Sequence, residues 1–315
     1  MAKIAFIFPG QGSQTVGMGQ ELAGNYDSAK KIFQLADKSL DDSLQALMFE
    51  GPQEELTKTA NAQPALLTAS TAILSVLLEQ GIHADYVAGH SLGEYSALVA
   101  AEAISFEDAV RTVRKRGELM EEAVPNGQGK MAAILGMDRE PLKRVTDEVT
   151  ENGFPVQLAN LNCPGQIVIS GSAEGVEKAS ELAKENGAKR CLPLNVSGPF
   201  HSSLMKPAAN KFEDVLSSVT IKDAAIPVVA NVTADPIFDS IKIQKLLVAQ
   251  LYSPVLWEDT IVKLLDLGVD TFVEIGPGKV LSGLVKKINR RAVTLPVFDE
   301  ESLQAAVKAL KGEVR

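Results

Sequence analysis

The sequence predicts an α/β fold, with a core of parallel strands covered by helices on both faces and a small domain inserted into that core. Short apolar segments alternate with longer helical patterns along most of the 315-residue chain. Such alternation favours a parallel sheet that is buried on both sides. The order of the elements between residues 128 and 197 differs from this alternation and predicts the insert.

The elements of the core are recognised by length and spacing. Strands are expected where short apolar runs end at turn residues, and helices where apolar or small residues recur over longer stretches. The predicted strands are 3–8, 85–90, 226–231 and 271–276, and the predicted helices are 62–81, 91–103 and 105–124. Ser105 lies three residues before Asp108, which resembles a capping box and marks the start of the third helix.

The middle of the chain has the order β-α-β-β-α-β, which is ferredoxin-like. Its predicted strands are 130–135, 155–160, 166–171 and 189–194, and its predicted helices are 139–151 and 174–187. Turn-rich segments at 124–130 and 196–202 bracket it. We therefore predict a large α/β domain of residues 1–127 and 198–315 and an inserted ferredoxin-like domain of residues 128–197. A site is expected in the cleft between them.

Composition excludes several classes of protein. The net charge of −9 is the wrong sign for a general nucleic-acid binder. Cys163 and Cys191 belong to no Cys/His cluster, which argues against a metal site and a disulfide scaffold and fits a reducing compartment. The N-terminus lacks a secretory signal pattern, and no apolar run reaches about 18 residues. We expect a cytoplasmic protein without a membrane span.

Ser91 is the candidate nucleophile. It lies in "GHSLG" between Gly89 and Gly93, with a predicted strand before it and a predicted helix after it. This is the context of a nucleophile elbow, so the parallel core is expected to be hydrolase-like. The glycines allow a tight turn, and the free amides of the helix N-terminus would face a developing oxyanion. The alternative is that Ser91 only caps the helix.

A serine hydroxyl needs a base, and the chain has three histidines. His83 follows a helix end and is expected at a surface turn. His90 is the neighbour of Ser91, so its side chain is expected to pack beside the site. His201 lies where the chain returns from the insert to the core, which makes it the best candidate base. No acid is obviously placed to orient it, and a backbone or amide carbonyl could do so.

Arg116 occupies an unexpected position on the helix at 105–124. Its spacing from Ala109, Val113 and Met120 places it on the apolar face. A buried guanidinium needs an acceptor, preferably a carboxylate or a phosphate held by two hydrogen bonds. Two interpretations remain open: Arg116 binds an anionic ligand, or it forms a structural salt bridge.

Seven motifs in order identify a family. They are "FPGQGSQ", "QPALLT", "GHSLGEYSALVAA", "VRKRGELM", "GPFHSSLM", "QLYSPV" and "EIGPGKVLSGL". Together they resemble the malonyl-CoA:acyl carrier protein transacylases of bacterial fatty acid synthesis, over nearly the whole chain. The resemblance implies ping-pong transfer through a malonyl ester of Ser91, with His201 as base and Arg116 paired with the malonyl carboxylate. It implies no cofactor besides the substrates malonyl-CoA and holo-acyl carrier protein, and a monomer is expected.

The resemblance also assigns roles to further residues. The backbone amides of Gln11 and Leu92 would form the oxyanion hole, and main-chain contact at Gln250 would orient the histidine. Phe200 and Leu92 are choices typical of malonyl-specific relatives. The substrate-binding residues that the resemblance implies are Arg116, Met120, Phe200, Gln63, Asn160 and Asn162.

Docking of the acidic carrier would depend on local basic patches, since the chain itself is acidic. The candidates are Lys189, Arg190, Lys286, Lys287, Arg290 and Arg291. Three other functions remain open: a transacylase that loads a polyketide assembly line in trans, a serine thioesterase or esterase on the same elbow, and a non-catalytic acyl-binding relative. The last would be expected to lack Ser91 or His201.

Overall fold

The computed structural model describes residues 3–125 and 127–312. Residues 1, 2, 126 and 313–315, which the predicted domain boundaries include, lie outside this described part. The strands are β1 (Lys3–Phe8), β2 (Tyr86–Gly89), β3 (Gly129–Leu135), β4 (Val156–Cys163), β5 (Gln166–Ser172), β6 (Arg190–Pro193), β7 (Val228–Val229), β8 (Pro236–Ile237), β9 (Val269–Ile275) and β10 (Val293–Val297). The helices are α1 (Gln20–Asn25), α2 (Asp27–Leu40), α3 (Leu44–Glu50), α4 (Gln53–Thr57), α5 (Thr59–Glu79), α6 (Gly93–Ala100), α7 (Phe106–Glu122), α8 (Arg139–Glu151), α9 (Ala173–Glu185), α10 (Lys206–Ser217), α11 (Ser240–Gln250), α12 (Trp257–Asp266), α13 (Val280–Ile288) and α14 (Glu300–Leu310).

The larger sheet has six strands in the order β10-β9-β1-β2-β7-β8. The neighbours are parallel except for the antiparallel pair β7–β8 at one edge. The strand predicted at 226–231 is reduced to Val228–Val229. The cause is local: the amide of Asn231 donates to the carboxylate of Glu94 instead of continuing the ladder. The edge strands β8 and β10 were not predicted, because each is short and its apolar pattern is brief.

Helices cover both faces of this sheet, because the apolar side chains of β1 point alternately to its two sides. Phe6 and Phe8 point to one face and join the core formed by α2, α5, α6 and α7. Ala5 and Ile7 point to the other face and join apolar residues of α12 and α13. Successive residues of a strand face opposite sides, so a strand buried on both faces is apolar throughout. The continuous run "IAFIF" follows from this position.

The smaller sheet has four strands in the order β4-β5-β3-β6, and all neighbours are antiparallel. Helices α8 and α9 pack on one face and close a separate apolar core. The strand β4 also joins the segment before α12. The amide of Leu161 donates to the carbonyl of Val255 at 2.9 Å, and the amide of Val255 donates to the carbonyl of Ala159 at 2.8 Å. These bonds attach the small sheet to the segment before α12, and the next residue, Leu256, donates from its amide to the carbonyl of Asn231 just after β7 at 2.9 Å.

The helix α5 is long and apolar enough to cross a membrane, judged by length and composition alone. In its most apolar window, however, 83% of the residues are buried inside the protein. It packs against α2, α6 and α7. The apolar character of α5 is therefore that of a central core helix.

Candidate active site

Ser91 lies at a sharp turn between β2 and α6, with φ at 50°. This left-handed conformation is uncommon for a residue other than glycine. The flanking glycines are required by close approach of the backbone. A Cβ atom at Gly89 would lie 1.9 Å from the carbonyl of Gly93, and one at Gly93 would lie 2.1 Å from the carbonyl oxygen of Phe8. The turn therefore has the geometry expected of a nucleophile elbow.

The hydroxyl of Ser91 points into the cleft and does not cap the helix. The helix α6 begins at Gly93, its N-cap is Leu92, and no side chain caps it. The Oγ atom of Ser91 lies 2.8 Å from Nε2 of His201. The interpretation of Ser91 as a helix cap is wrong, because its oxygen is held by the histidine 110 residues further along the chain.

His201 is oriented by the main chain. Its Nδ1 lies 2.8 Å from the carbonyl oxygen of Gln250. A carbonyl only accepts hydrogen bonds, so Nδ1 carries the proton and Nε2 presents its lone pair to Ser91. Burial and the nearby charge of Arg116 lower the pKa of His201 to about 3. The imidazole is therefore neutral at neutral pH and can accept a proton.

Arg116 is buried, with 1% of its surface exposed. Its Nη1 donates to Oε1 of Gln63 at 2.8 Å, and its Nη2 donates to Oε1 of Gln250 at 2.8 Å and to Oγ of Ser91 at 3.1 Å. No carboxylate of the described chain lies within ion-pair distance of it. The structural salt bridge is therefore wrong, and the guanidinium keeps its charge available to a ligand.

A cavity of about 260 Å³ opens in front of Ser91, between the two sheets. Most of the predicted site residues line it: Gln11, Ser91, Leu92, Arg116, Met120, Asn160, Asn162, Phe200 and His201. Gln63 and Gln250 are buried behind Arg116 and hold it through their side-chain oxygens. The small sheet contributes Met131 and Val168 to the lining. The structure thus brings the predicted residues of both parts of the chain to one cleft.

The two backbone amides predicted for the oxyanion hole border this cavity. Within residues 3–125 and 127–312, neither the amide of Gln11 nor that of Leu92 donates a hydrogen bond to another group. The side chain of Gln11 is fixed by a bond from Nε2 to Oγ1 of Thr59 at 3.0 Å. Both amides are therefore available to a ligand oxygen.

The other histidines lie where the sequence predicted. His90 lines the cavity, and its Nε2 lies 2.9 Å from Oδ1 of Asn162. Its ring packs beside Trp257 with centroids 5.5 Å apart, and burial lowers its pKa. It therefore packs beside the site, and His83 is exposed on the surface.

One lysine of each predicted basic cluster lies close to the cavity. Nζ of Lys287 donates to Oε1 of Gln166, a residue that lines the cavity. The side chain of Lys189 packs against Gly136, where an added Cβ would lie 2.6 Å from the Cγ atom of the lysine. The amide of Gly136 in turn bonds to the carbonyl of Gly165, next to Gln166. Arg190, Lys286, Arg290 and Arg291 are exposed.

Two residues of the site were missed by the sequence analysis. Oδ1 of Asn231 accepts from the amide of Ser91 at 2.7 Å, and its Nδ2 donates to the carbonyl of Gly89 at 2.7 Å, so it holds both sides of the elbow. Glu94, which is 2% exposed, accepts from Nε2 of Gln250 at 2.6 Å. A single acid in a helix of small and apolar residues was the available signal for Glu94; Asn231 had none.

The fold and this arrangement define a class: α/β proteins in which a serine on a glycine elbow and a neutral histidine are placed for covalent acyl transfer. The sequence model of the acyl transferase domain family matches residues 5–306. This chain belongs to that family.

Proteins of known name match the chain over nearly its whole length. It is 64% identical over 313 residues to malonyl CoA-acyl carrier protein transacylase of Bacillus subtilis strain 168, with 99% of each chain covered. The crystal structure of an acyl carrier protein S-malonyltransferase from Vibrio cholerae is 45% identical, with a TM-score of 0.95 over 97% of this chain and 100% of that one. A malonyl-transacylase in complex with its type II PKS acyl-carrier protein is 46% identical, with a TM-score of 0.95 over 98% and 100%.

Proposed function

We propose that this chain transfers the malonyl group from malonyl-CoA to the phosphopantetheine thiol of acyl carrier protein, and so supplies malonyl carrier protein for fatty acid elongation. The names and high identity of its relatives support this activity. One observation of the site supports malonyl as the acyl group. Nη2 of the buried Arg116 lies 3.1 Å from Oγ of Ser91, and no carboxylate of the described chain lies within ion-pair distance of the guanidinium. A malonyl group on Ser91 would supply that carboxylate.

The proposed reaction has two halves that use the same groups. In the first, His201 takes the proton of Ser91 while Oγ attacks the thioester carbonyl. The oxyanion accepts hydrogen bonds from the amides of Gln11 and Leu92, and it collapses as the CoA thiolate leaves with the proton from His201. In the second, His201 deprotonates the carrier thiol, which attacks the malonyl-serine ester and restores Ser91. No cofactor is required, because each step moves only a proton and an acyl group.

The cavity is proposed to select the malonyl group by charge and by size. Gln63 and Gln250 hold Arg116 so that its guanidinium faces the position of the acyl chain. Met120 and Phe200 border the same space. The amides of two asparagines on β4 would contact the pantetheine arm. These are Asn160 and Asn162.

We infer that residues 128–197 form an inserted ferredoxin-like domain and that residues 1–127 and 198–315 form the large domain. The four-stranded order β4-β5-β3-β6 and the separate apolar core with α8 and α9 support this division. We further propose that the protein is cytoplasmic, in keeping with its free cysteines, and that it acts as a monomer.

The basic rim of the cleft is proposed as the docking surface for the acidic carrier. Lys287 and Lys189 lie beside the turn between β4 and β5, next to the cavity mouth at Gln166, and the other members neighbour them in the chain. Charge on this rim would raise the association rate and orient the carrier arm toward the cleft. The rim residues are Lys189, Arg190, Lys286, Lys287, Arg290 and Arg291.

The proposed function is tested by incubating the protein with malonyl-CoA, with and without holo-acyl carrier protein. We expect sustained release of CoA only when the carrier is present, and a malonyl group on the carrier by mass spectrometry. Sustained release without carrier would instead identify a thioesterase. Release of CoA in neither case, together with no mass change on Ser91, would identify a non-catalytic relative.

A polyketide role is the second candidate, since a relative has been solved with a type II PKS acyl-carrier protein. Offering equal amounts of a fatty acid carrier and a polyketide carrier in one reaction distinguishes the two. Faster loading of the fatty acid carrier supports the first candidate, and faster loading of the polyketide carrier supports the second.

Replacing Arg116 by alanine is expected to change the preference among acyl groups. Loss of the partner of a buried carboxylate costs about 2–5 kcal/mol, so kcat/KM for malonyl-CoA should fall about 30-fold or more. Acetyl-CoA lacks the carboxylate and should be transferred as well as before or better. Kinetics with both thioesters provide the measurement, and Arg111→Ala, at an exposed position of the same helix, is the control. An unchanged malonyl preference would show that Arg116 does not bind the carboxylate.

A further inference from the structure

Glu94 forms one end of a buried chain of polar groups beneath Ser91. It lies in the first turn of α6 and is 2% exposed. Its Oε2 accepts from Nε2 of Gln250 at 2.6 Å and from the amide of Asn231 at 3.1 Å. At the other end of the Gln250 amide, Oε1 accepts from Nη2 of Arg116 at 2.8 Å. The carboxylate and the guanidinium are thus joined through one amide and do not touch.

The two ends fix the orientation of that amide. A guanidinium only donates hydrogen bonds and an ionised carboxylate only accepts them. The Gln250 amide therefore has its oxygen toward Arg116 and its nitrogen toward Glu94. Any change in the charge of Glu94 reaches Arg116 through this amide and through space.

Within the described residues, Arg116 is the cation of this cluster and Glu94, once ionised, is its anion. The titratable groups that interact with Glu94 are Arg116 from α7 and Tyr95 on α6, and the histidines His90 and His201 lie in the same site around Ser91. Burial lowers the pKa of His201 to about 3 and also lowers the pKa of His90, so both are neutral. Burial raises the pKa of Tyr95, which stays a neutral phenol.

A bound malonyl carboxylate would disturb this balance. In the free protein above about pH 7, the one buried cation is matched by the ionised Glu94. The ligand adds a second anion to the same desolvated cluster, and an unmatched buried charge is costly. A carboxyl group can remove that cost by taking a proton. Burial, opposed by the bonds from Asn231 and Gln250 and by the charge of Arg116, raises the pKa of Glu94 to about 7, so a proton is accessible at neutral pH.

We propose that Glu94 is an exchangeable counter-charge of Arg116: it takes up one proton from solvent when a malonyl carboxylate binds and releases it when the malonyl group leaves. The inference rests on the proposed function. The proton would reside on Oε1, because Oε2 accepts both hydrogen bonds. No bond other than this O–H forms or breaks.

The pH dependence of malonyl binding follows from this exchange. Below about pH 7 Glu94 already carries the proton in the free protein, so malonyl affinity does not change with pH. Above this pH each binding event must take up a proton. The affinity then falls about tenfold for each pH unit. An acyl group without a carboxylate should show no such dependence.

Binding of malonyl-pantetheine to the Ser91→Ala protein, measured by calorimetry between pH 5.5 and 8.5, tests the inference; this probe lacks the phosphates of CoA. We expect a constant Kd up to about pH 7 and a rise of about 30-fold by pH 8.5. Acetyl-pantetheine should show a flat profile. Adding Glu94→Gln, which keeps an acceptor oxygen and removes the charge, should hold malonyl affinity at the low-pH value throughout. Glu258→Gln removes another carboxyl whose pKa burial raises, outside the cavity, and should retain the rise.

Two results would overturn the inference: a flat malonyl profile with Glu94 present, or a rise that persists in the Glu94→Gln protein. The comparison of malonyl with acetyl ligands needs no change at Glu94, so it decides the matter even if that variant does not fold. The carrier assay separates this outcome from failure of the proposed function. If malonyl is transferred to the carrier but malonyl affinity does not change with pH, only the counter-charge role of Glu94 is refuted. If no malonyl is transferred, the proposed function and the counter-charge role are both refuted.

Discussion

The Ser91→Ala protein is expected to form no malonyl adduct with malonyl-CoA and to transfer no malonyl group to the carrier. In the proposed reaction the acyl group is carried by Oγ of Ser91 between the two substrates, and the two neighbours of that oxygen have other roles. His201 is turned toward Ser91 by Gln250, and Arg116 is a donor only. Intact-mass spectrometry of the protein after a short incubation provides the measurement.

Ser96→Ala is the matched control for this prediction. Ser96 is buried on the same helix, α6, and its hydroxyl has no hydrogen-bond partner among the described residues. Both substitutions remove one serine hydroxyl near the start of α6, but only Ser96→Ala should keep the adduct. A malonyl adduct in the Ser91→Ala protein would place the acyl group on another residue and contradict the proposed mechanism.

The His201→Asn protein is expected to lose about 10²–10⁴-fold in the rate of acylation by malonyl-CoA, the range typical of a general base. Asparagine is the better replacement because His201 has φ at 58°, a conformation that asparagine tolerates. The amide of asparagine cannot take the proton of Ser91. Stopped-flow measurement of CoA release in the first turnover isolates this step from transfer to the carrier.

The pH profile gives an independent check on the base. The pKa of His201 is lowered to about 3, so its neutral form is lost only as the pH falls toward that value. The unmodified protein should therefore show no loss of acylation rate on the acid side between pH 7 and pH 5. A fall centred near the ordinary histidine value of about 6.5 would contradict this. His83→Ala, at the exposed histidine, should leave rate and profile unchanged.

The local parts of the site could be predicted from the sequence. The elbow at Ser91 follows from two glycines between a strand and a helix, and Arg116 was found because helical periodicity fixes which face a residue occupies. Periodicity does not identify the partner across that face. The acceptors of Arg116 are neutral amides on α5 and α11, Gln63 and Gln250, which lie 53 and 134 residues away in the chain.

The remainder of the site could not be predicted because it depends on long-range contacts. Asn231 supports the elbow from 140 residues away, and no pattern in its own segment marks it. A second contact of the same residue, from its amide to Glu94, ends β7 early, so Asn231 accounts for both the missed residue and the overlong predicted strand. The edge strands β8 and β10 were not predicted for a different reason. Their extended conformation depends more on pairing with the neighbouring strand than on their own few residues.

The pairing of β4 with the chain at Val255 has a consequence for turnover. The amide and the carbonyl of Val255 bond β4, which carries two residues of the cleft wall, to the segment before α12, so we expect the cleft to keep a constant width through the catalytic cycle. CoA, which gives the malonyl group, and the carrier, which receives it, both present a pantetheine arm to the cleft. A cleft of constant width can bind the two arms one after the other without a conformational change. The rate at which successive arms exchange should then be limited by the dissociation of the departing arm. It should not be limited by a closing movement of the domains.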